Sequence, residues 1–313
     1  MKRTQNKVAE SRKTLPIAIG YGTAIWILAG LFHQQWWIQF ACFALAVGTM
    51  TELDNHNALM RIYSRMVPVT FICLSCCACF LFPSMSGAIF QLCFIASLYT
   101  LFLSYQDRQS TGWTFYTFLL LGLGSVAQPQ ALWLVLVYWL LMGFTIYSLS
   151  WRTFCASVLG VLCPYWFMVT WILFGNDGDF TPFISHLEAV VSYTLPADYA
   201  SVGLPTMVFA GLTVVLTLVG SLHFVHNSFR DKIRTRQLYY SLMLLFGTAT
   251  VVLAIKPQHS DVMLRVMIAT GSPLIGHFIA LTATRLTNIL FYIILTAVGL
   301  LTAINLWMPS SVF

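Results

Sequence analysis

The stretch "SDVMLRVMIATGSPLIGHFIALTATR", residues 260–285, has the length and apolar content of a membrane-spanning helix, but it also carries unusual polar residues. Asp261 and Arg265 stand near its start, Pro273 near its middle and His277 soon after. Pro273 removes a backbone donor, a break that membrane helices tolerate where other groups satisfy the backbone. The stretch therefore predicts a capped and kinked packing helix, and it contains the best candidate for a functional site.

The composition of the chain places it in the membrane. Of its 313 residues, 58% are hydrophobic and only 8% are charged, against about 25% charged residues in an ordinary soluble domain. The apolar runs are continuous, whereas a membrane β-barrel would alternate apolar and polar residues over roughly ten positions. The fold class predicted is all-α, a polytopic transmembrane helix bundle.

Hydropathy predicts about eleven spans joined mostly by short connections, in one transmembrane domain over residues 15–306. Residues 1–14 are expected to form a basic cytoplasmic tail and residues 307–313 a periplasmic tail. The predicted spans are 15–32, 35–50, 66–83, 87–105, 113–127, 130–149, 153–175, 203–225, 237–255, 262–284 and 286–306.

The distribution of basic residues predicts the orientation. With the N-terminus in the cytoplasm, all of the sixteen Lys and Arg residues except Lys256 and Arg265 fall on the inner side. This asymmetry is the one that the positive-inside rule describes. It explains the net charge of +6 by topology and anionic lipid, so no nucleic acid partner is expected.

The longest predicted outer segment, 176–202, contains a pattern typical of an amphipathic helix on the membrane surface. Thr181 can cap this helix with Pro182 at its first position, and Glu188 lies on its polar face. The helix over 180–193 is interpreted as a lid or brace, with direct contact to a substrate as the alternative.

Two interpretations of residues 260–285 remain open. In the first, Ser260 caps the helix and Asp261 pairs with Arg265 one turn later. In the second, Arg265 faces a cleft and grips an anionic head group, phosphate or carboxylate. The candidate ligand-binding residues are Arg265, Asp261, Ser272, Lys256 and Glu188.

Other groups that could bind metal have simpler interpretations. His277 is expected to be a packed, hydrogen-bonded histidine. His223 and His226 lie on one helix face but lack an evident third ligand, and the cysteines all fall within apolar runs. No metal and no cofactor are predicted.

Enzymatic activity is uncertain and less favoured than binding. The chain has no P-loop, no CxxCH motif and no pair of acids within one predicted span. Membrane glycosyltransferases usually carry acids in the first outer loop, which is His33-Gln34-Gln35 here.

Three stretches resemble an uncharacterised family of multi-span inner-membrane proteins from Bacteroidota. They are "TELDNHNALMRIYSRMVPVTFICLSCCACFLFP", "RTFCASVLGVLCPYWF" and "RLTNILFYIILTAVGL". The resemblance implies a role in the envelope at a Gram-negative inner membrane, and it carries over no catalytic residue.

The function expected is therefore the binding or translocation of an anionic lipid or lipid-linked glycan in the bacterial inner membrane. Membrane lipids are the expected partners. The alternatives are a structural subunit of an envelope protein complex and a small-solute transporter.

Overall fold

The computed structural model describes residues 3–175, 180–191, 199 and 202–307, and within these ranges the chain forms helices and no strands. A few short 3₁₀ turns join some of the helices. The α-helices in chain order are α1 Thr4–Glu10, α2 Thr14–Leu28, α3 Trp37–Asn57, α4 Met66–Cys77, α5 Met85–Leu103, α6 Thr111–Ala127, α7 Trp133–Phe144, α8 Trp151–Gly175, α9 Thr181–Val191, α10 Leu204–Asn227, α11 Ile233–Ile255, α12 Ser260–Leu281 and α13 Arg285–Trp307.

Within the described residues, six helical segments are long and apolar enough to cross a membrane, as expected for a membrane protein. They are Met85–Leu103, Trp151–Phe174, Leu204–Arg230, Ile233–Ile255, Pro257–Leu281 and Arg285–Trp307. Each of the eleven predicted spans coincides with a helix, but the others are shorter or more polar. The number eleven and the cytoplasmic N-terminus stay predictions.

Several predicted boundaries differ from the structure because helices do not end where apolar runs end. α3 continues seven residues past the predicted span 35–50, to Asn57, and stops where Ala58 adopts a left-handed conformation with φ 46°. The predicted span 66–83 divides into α4 and a 3₁₀ turn at Cys79–Leu81. The predicted span 130–149 begins with a 3₁₀ turn, and α7 ends at Phe144.

Helix α12 lies at the centre of the bundle. Every residue from Val262 to Ala280 is buried, and α4, α5, α10 and α11 all pack against it. Two glycines permit this close packing: a Cβ on Gly276 would stand 3.1 Å from the Met66 backbone, and one on Gly220 of α10 would stand 2.7 Å from the Leu274 carbonyl oxygen. The surroundings of α12 are therefore protein and not lipid.

Part of the predicted N-terminal tail is a helix that docks on the bundle. Gln5 in α1 is fully buried, and its Nε2 donates to the Ile279 carbonyl at 2.6 Å and to Thr282 Oγ1 at 2.7 Å. The amide thus satisfies a carbonyl in the last turn of α12, which has no partner within its own helix.

The predicted outer segment and the C-terminal tail are described only in part. The amphipathic helix expected over 180–193 is present as α9, which begins at Thr181. The rest of 176–202, apart from residues 180, 199 and 202, lies outside the described residues, as do residues 308–313 of the predicted tail.

Candidate functional site

Arg265 is buried near the N-terminal end of α12 and is held by three different partners. Its Nε donates to Asp261 Oδ1 at 3.1 Å, Nη1 to Gln91 Oε1 of α5 at 3.1 Å, and Nη2 to the Leu81 carbonyl at 2.6 Å. Only 4% of the residue is exposed. The planar guanidinium suits such a set, because its donors point in fixed and different directions.

Asp261 extends these contacts to two other connections of the bundle. Its Oδ2 accepts from Ser84 Oγ at 3.1 Å, just before α5, and from Gln128 Nε2 at 3.3 Å, just after α6. Gly87 makes room for the pair, because a Cβ there would collide with both charged side chains. We call Arg265, Asp261, Gln91, Leu81, Ser84 and Gln128 the Arg265 hub.

The predicted pairing of Asp261 with Arg265 is confirmed, but the predicted cap is wrong. Ser260 is the first residue of α12, and the residue at the cap position, His259, makes no side-chain hydrogen bond to the helix. A 3₁₀ turn at Pro257–His259 leads directly into α12 and takes the place of the cap.

A narrow pocket adjoins the hub between α2, α3, α4, α5 and α12. Its cavity has a volume of about 20 Å³, room for a group about the size of one water molecule. Its apolar walls include Phe43, Phe82 and Ile268. We call it the Trp26 pocket, after the first of its polar lining residues, which are Trp26, Gln39, Ser75, Gln91 and Arg265.

Three polar groups of this pocket have no hydrogen-bond partner within the described part of the chain: Trp26 Nε1, Ser75 Oγ and Gln91 Nε2. Their residues are 3%, 6% and 9% exposed. The orientation of the Gln91 amide follows from Arg265, which donates to its oxygen and so leaves its NH₂ toward other acceptors. Trp26 is fixed by stacking on Phe82, with ring centroids 3.9 Å apart. The pocket therefore presents donors that lack an acceptor.

The other predicted site residues lie elsewhere. Ser272 is fully buried in the middle of α12, where its hydroxyl donates to the Ile268 carbonyl and its own carbonyl accepts from Thr70 Oγ1 at 2.8 Å. Lys256 places its Nζ 5.9 Å from the ring centroid of Trp133. Glu188 is exposed on α9. None of these three residues lines the Trp26 pocket.

A second polar cluster surrounds His277, toward the C-terminal end of α12. His277 is fully buried, and its Nε2 lies 3.7 Å from Asp231 Oδ2, too far for a hydrogen bond. Asp231 Oδ1 lies 2.8 Å from Arg61 Nε. The His223 ring centroid is 5.7 Å from that of His277, and the Tyr239 centroid is 5.1 Å away. We call His277, Asp231, Arg61, His223 and Tyr239 the His277 cluster.

The expectation of a packed, hydrogen-bonded His277 holds only for its packing. Neither of its ring nitrogens has a hydrogen-bond partner among the residues that the structure describes. The same residues contain no group of three or more His, Cys, Asp or Glu side chains that could hold a metal ion, and His226 is exposed.

Sequence reasoning missed Trp26, Ser75 and Gln91 in the first site and Asp231 and Arg61 in the second. A buried amide in an apolar run was a usable signal for Gln91, because polar side chains inside a membrane helix need a partner. Ser75 and Trp26 carry no such signal, since both residue types are common in membrane helices.

No protein-family model matches this chain, and no curated protein or solved structure matches it either. The resemblance to the Bacteroidota family therefore stays a prediction.

Proposed function

We propose that this protein binds an anionic lipid or lipid-linked glycan of the cell envelope and that the Trp26 pocket receives an oxygen of its head group. The observation that carries the proposal is that three residues lining one pocket beside Arg265, which are Trp26, Ser75 and Gln91, each have a buried donor without a partner in the described part of the chain.

The chemistry of the pocket favours a ligand that only accepts hydrogen bonds. A buried polar group without a partner costs about 1–3 kcal/mol, and one phosphoryl or carboxylate oxygen can accept from several of these donors at once. Arg265 adds positive charge beside them, although Asp261 balances part of it. A phosphate, a carboxylate or an ester carbonyl meets these requirements better than a cation or an alcohol.

The pocket is also placed where a lipid could reach it. Cys42 and Phe43 of α3 line it and are part-exposed, so the wall at α3 is not sealed. Neighbouring residues of the same helix, Ile38 and Leu45, are 51% and 60% exposed and suit contact with acyl chains. A head-group oxygen would enter past α3 while the chains stay in the membrane.

The proposed topology has eleven crossings with the N-terminus inside, at a bacterial inner membrane. This topology is supported by the hydrogen bonds between connections: those predicted on the inner side bond to one another, and those predicted on the outer side bond to one another. Asp261 accepts from Ser84 and Gln128, all assigned outside, whereas Arg234 donates to Asn57 at 2.9 Å, both assigned inside. The assignment is tested by labelling intact cells from outside, with one cysteine introduced by Gln34→Cys and another by Gln109→Cys. The cysteine at position 34 is expected to be labelled, and labelling at position 109 alone would reverse the orientation.

The binding proposal is tested by native mass spectrometry of the protein released gently from its own membranes. Wild type is expected to retain an anionic lipid, and Ser75→Ala and Trp26→Phe are expected to lose most of it. These variants are preferable to Arg265→Ala because they remove groups that have no hydrogen-bond partner among the described residues, so no hydrogen bond of the fold is lost. Trp26→Phe keeps an aromatic ring to stack on Phe82.

Ser125→Ala is the matched control, because Ser125 is equally buried but its hydroxyl bonds to Tyr165, away from the pocket. Equal lipid retention in wild type and both pocket variants contradicts the proposal. A protein that co-purifies stoichiometrically in all variants, without a lipid difference, would favour the structural-subunit alternative. Stabilisation by a soluble solute would favour the transporter.

A further inference from the structure

The C-terminal half of α12 carries a buried ionisable residue, His277, that the proposed lipid site does not use. His277 is fully buried, and the Asp231 side chain beside it is also fully buried. Ionisable groups buried at this depth are costly, and in membrane proteins they commonly mark ion or proton pathways. We propose that the His277 cluster is a proton-binding site, in which His277 takes up one proton and pairs with Asp231.

The geometry provides both the acceptor of the proton and a group to stabilise its charge. His277 has two ring nitrogens without partners, and Asp231 Oδ2 lies 3.7 Å from one of them. When His277 is neutral, Arg61 alone balances the carboxylate, through the 2.8 Å contact to Oδ1. Protonation converts His277 to a cation with two N–H donors. A shift of about 0.8 Å shortens the 3.7 Å contact to Oδ2 to the length of a charge-assisted hydrogen bond, about 2.9 Å.

The remaining groups around His277 define the electrostatic balance of the site. His223 faces it from α10, Tyr239 from α11, Asp231 from the turn before α11, and Arg61 from the connection before α4. Asp54 of α3 is close enough to Tyr239 to act on it electrostatically. The positive charge of Arg61 opposes protonation of the His277 ring, and the negative charge of Asp231 favours it. The affinity of His277 for the proton therefore depends on how strongly Asp231 is already paired with Arg61.

The site has a connection to solvent. The Arg61 side chain is 30% exposed, although its partner Asp231 is sealed. His223 is part-exposed, its ring centroid lies 5.7 Å from that of His277, and its buried Nδ1 has no partner among the described residues. A proton can therefore arrive by way of His223 without opening the bundle.

Proton uptake would change how α12 is held. Asp231 belongs to the turn between α10 and α11, both of which pack on α12. The neutral cluster ties that turn to Arg61, and the protonated cluster also ties it to α12 itself. Acidification therefore strengthens the pairing of Asp231 with His277, at the opposite end of α12 from the Trp26 pocket.

The test is nuclear magnetic resonance of the whole protein, labelled on its histidine rings, between about pH 5 and 8. The His277 signal, assigned from its loss in His277→Gln, is expected to titrate reversibly while the protein stays folded. Asp231→Asn is expected to weaken proton binding about tenfold, a fall of about one pH unit in the midpoint.

His226→Gln is the control, since His226 is exposed on the same helix as His223 and is expected to leave the midpoint unchanged. If His277→Gln does not fold, the signal is assigned by exclusion from single variants of the other histidines. A His277 ring that keeps one protonation state over the whole range, or a midpoint indifferent to Asp231→Asn, overturns the proposal.

Discussion

The two ends of α12 bury charge in opposite ways. Near its N-terminal end, Arg265 has partners for Nε, Nη1 and Nη2, drawn from its own helix, from α5 and from the turn before α5. Near its C-terminal end, the His277 ring has no hydrogen bond to any residue that the structure describes, and the nearest carboxylate oxygen of Asp231 is 3.7 Å away. Burial is similar at both ends, so the difference lies in the number of partners.

This difference separates a structural role from a functional one. A buried charge with a full set of partners fixes the geometry around it, and removing it is costly. A buried ionisable group without partners retains the capacity to gain a ligand or a proton. By this criterion Arg265 mainly holds the bundle together, whereas the donors beside it in the Trp26 pocket and the His277 cluster are where binding is expected.

The largest effect is expected from Arg265→Met. The change leaves Asp261 without its ion-pair partner, leaves Gln91 Oε1 without its donor and removes one of the donors to the Leu81 carbonyl, so the free energy of unfolding should fall by about 3–5 kcal/mol. Equilibrium unfolding in mixed micelles measures it.

A double variant distinguishes the causes of that loss. Adding Asp261→Ala removes the uncompensated carboxylate, so Arg265→Met with Asp261→Ala should be more stable than Arg265→Met alone. If Arg265→Met costs less than about 1 kcal/mol, a range usual for surface changes, the hub is not structural and the comparison between the two ends fails.

The second effect tests the packing of α12 near His277. In Gly220→Ala the new methyl group would meet the backbone oxygen and carbon of Leu274, which cannot rotate away, so the free energy of unfolding should fall by about 1–3 kcal/mol. Gly211→Ala on the same helix is the control, because nothing lies within 4 Å of its added Cβ. Equal unfolding midpoints for the two variants would show that α10 and α12 separate easily there.

The third effect concerns the docking of α1 on the last turn of α12. Gln5→Ala removes two buried hydrogen bonds, to the Ile279 carbonyl and to Thr282, and should cost about 1–2 kcal/mol. Hydrogen exchange of the α1 amides should accelerate with it. Thr4→Ala, exposed on the same helix, should change neither quantity, and slow exchange in Gln5→Ala would show that other contacts hold α1.

The helices were predictable from the sequence because each apolar run has the length of a helix. Their ends were less so, because polar residues such as Glu52 continue α3 past its apolar run. The central place of α12 could not be predicted, since hydropathy does not distinguish a helix surrounded by protein from one surrounded by lipid. Here α12 is buried throughout, whereas Trp166 and Phe174 of α8 are 73% and 88% exposed.

The candidate sites were predictable only where their residues are close in the chain. Asp261 and Arg265 stand one helical turn apart, so their pairing follows from helix geometry. Asp231 and His277, or Trp26 and Gln91, come together only through the packing of different helices, and no spacing rule connects them. Asp54 belongs to this second kind, since the sequence gives no sign that it is buried.

The last effect is a pH dependence at Asp54, a buried carboxyl group near the end of α3. Burial raises the pKa of Asp54 from 3.8 to about 7, against the opposing charge of Arg65. The folded state then binds more protons than the unfolded state between about pH 4 and 7, so the free energy of unfolding falls as pH rises through this window, by at most about 1.4 kcal/mol per pH unit.

Asp54→Asn should remove this slope and be more stable than wild type above about pH 7, because no charge is then buried. Glu52→Gln is the control, since Glu52 is exposed two residues earlier in α3. Comparing Asp54→Asn with His277→Gln also separates the contribution of the His277 cluster. A pH dependence of the free energy of unfolding that survives in Asp54→Asn and disappears in His277→Gln comes from the C-terminal end of α12, where His277 lacks partners. A slope unchanged by Asp54→Asn would mean that the Asp54 carboxyl group has the same pKa in the folded and the unfolded protein, and it would contradict the prediction.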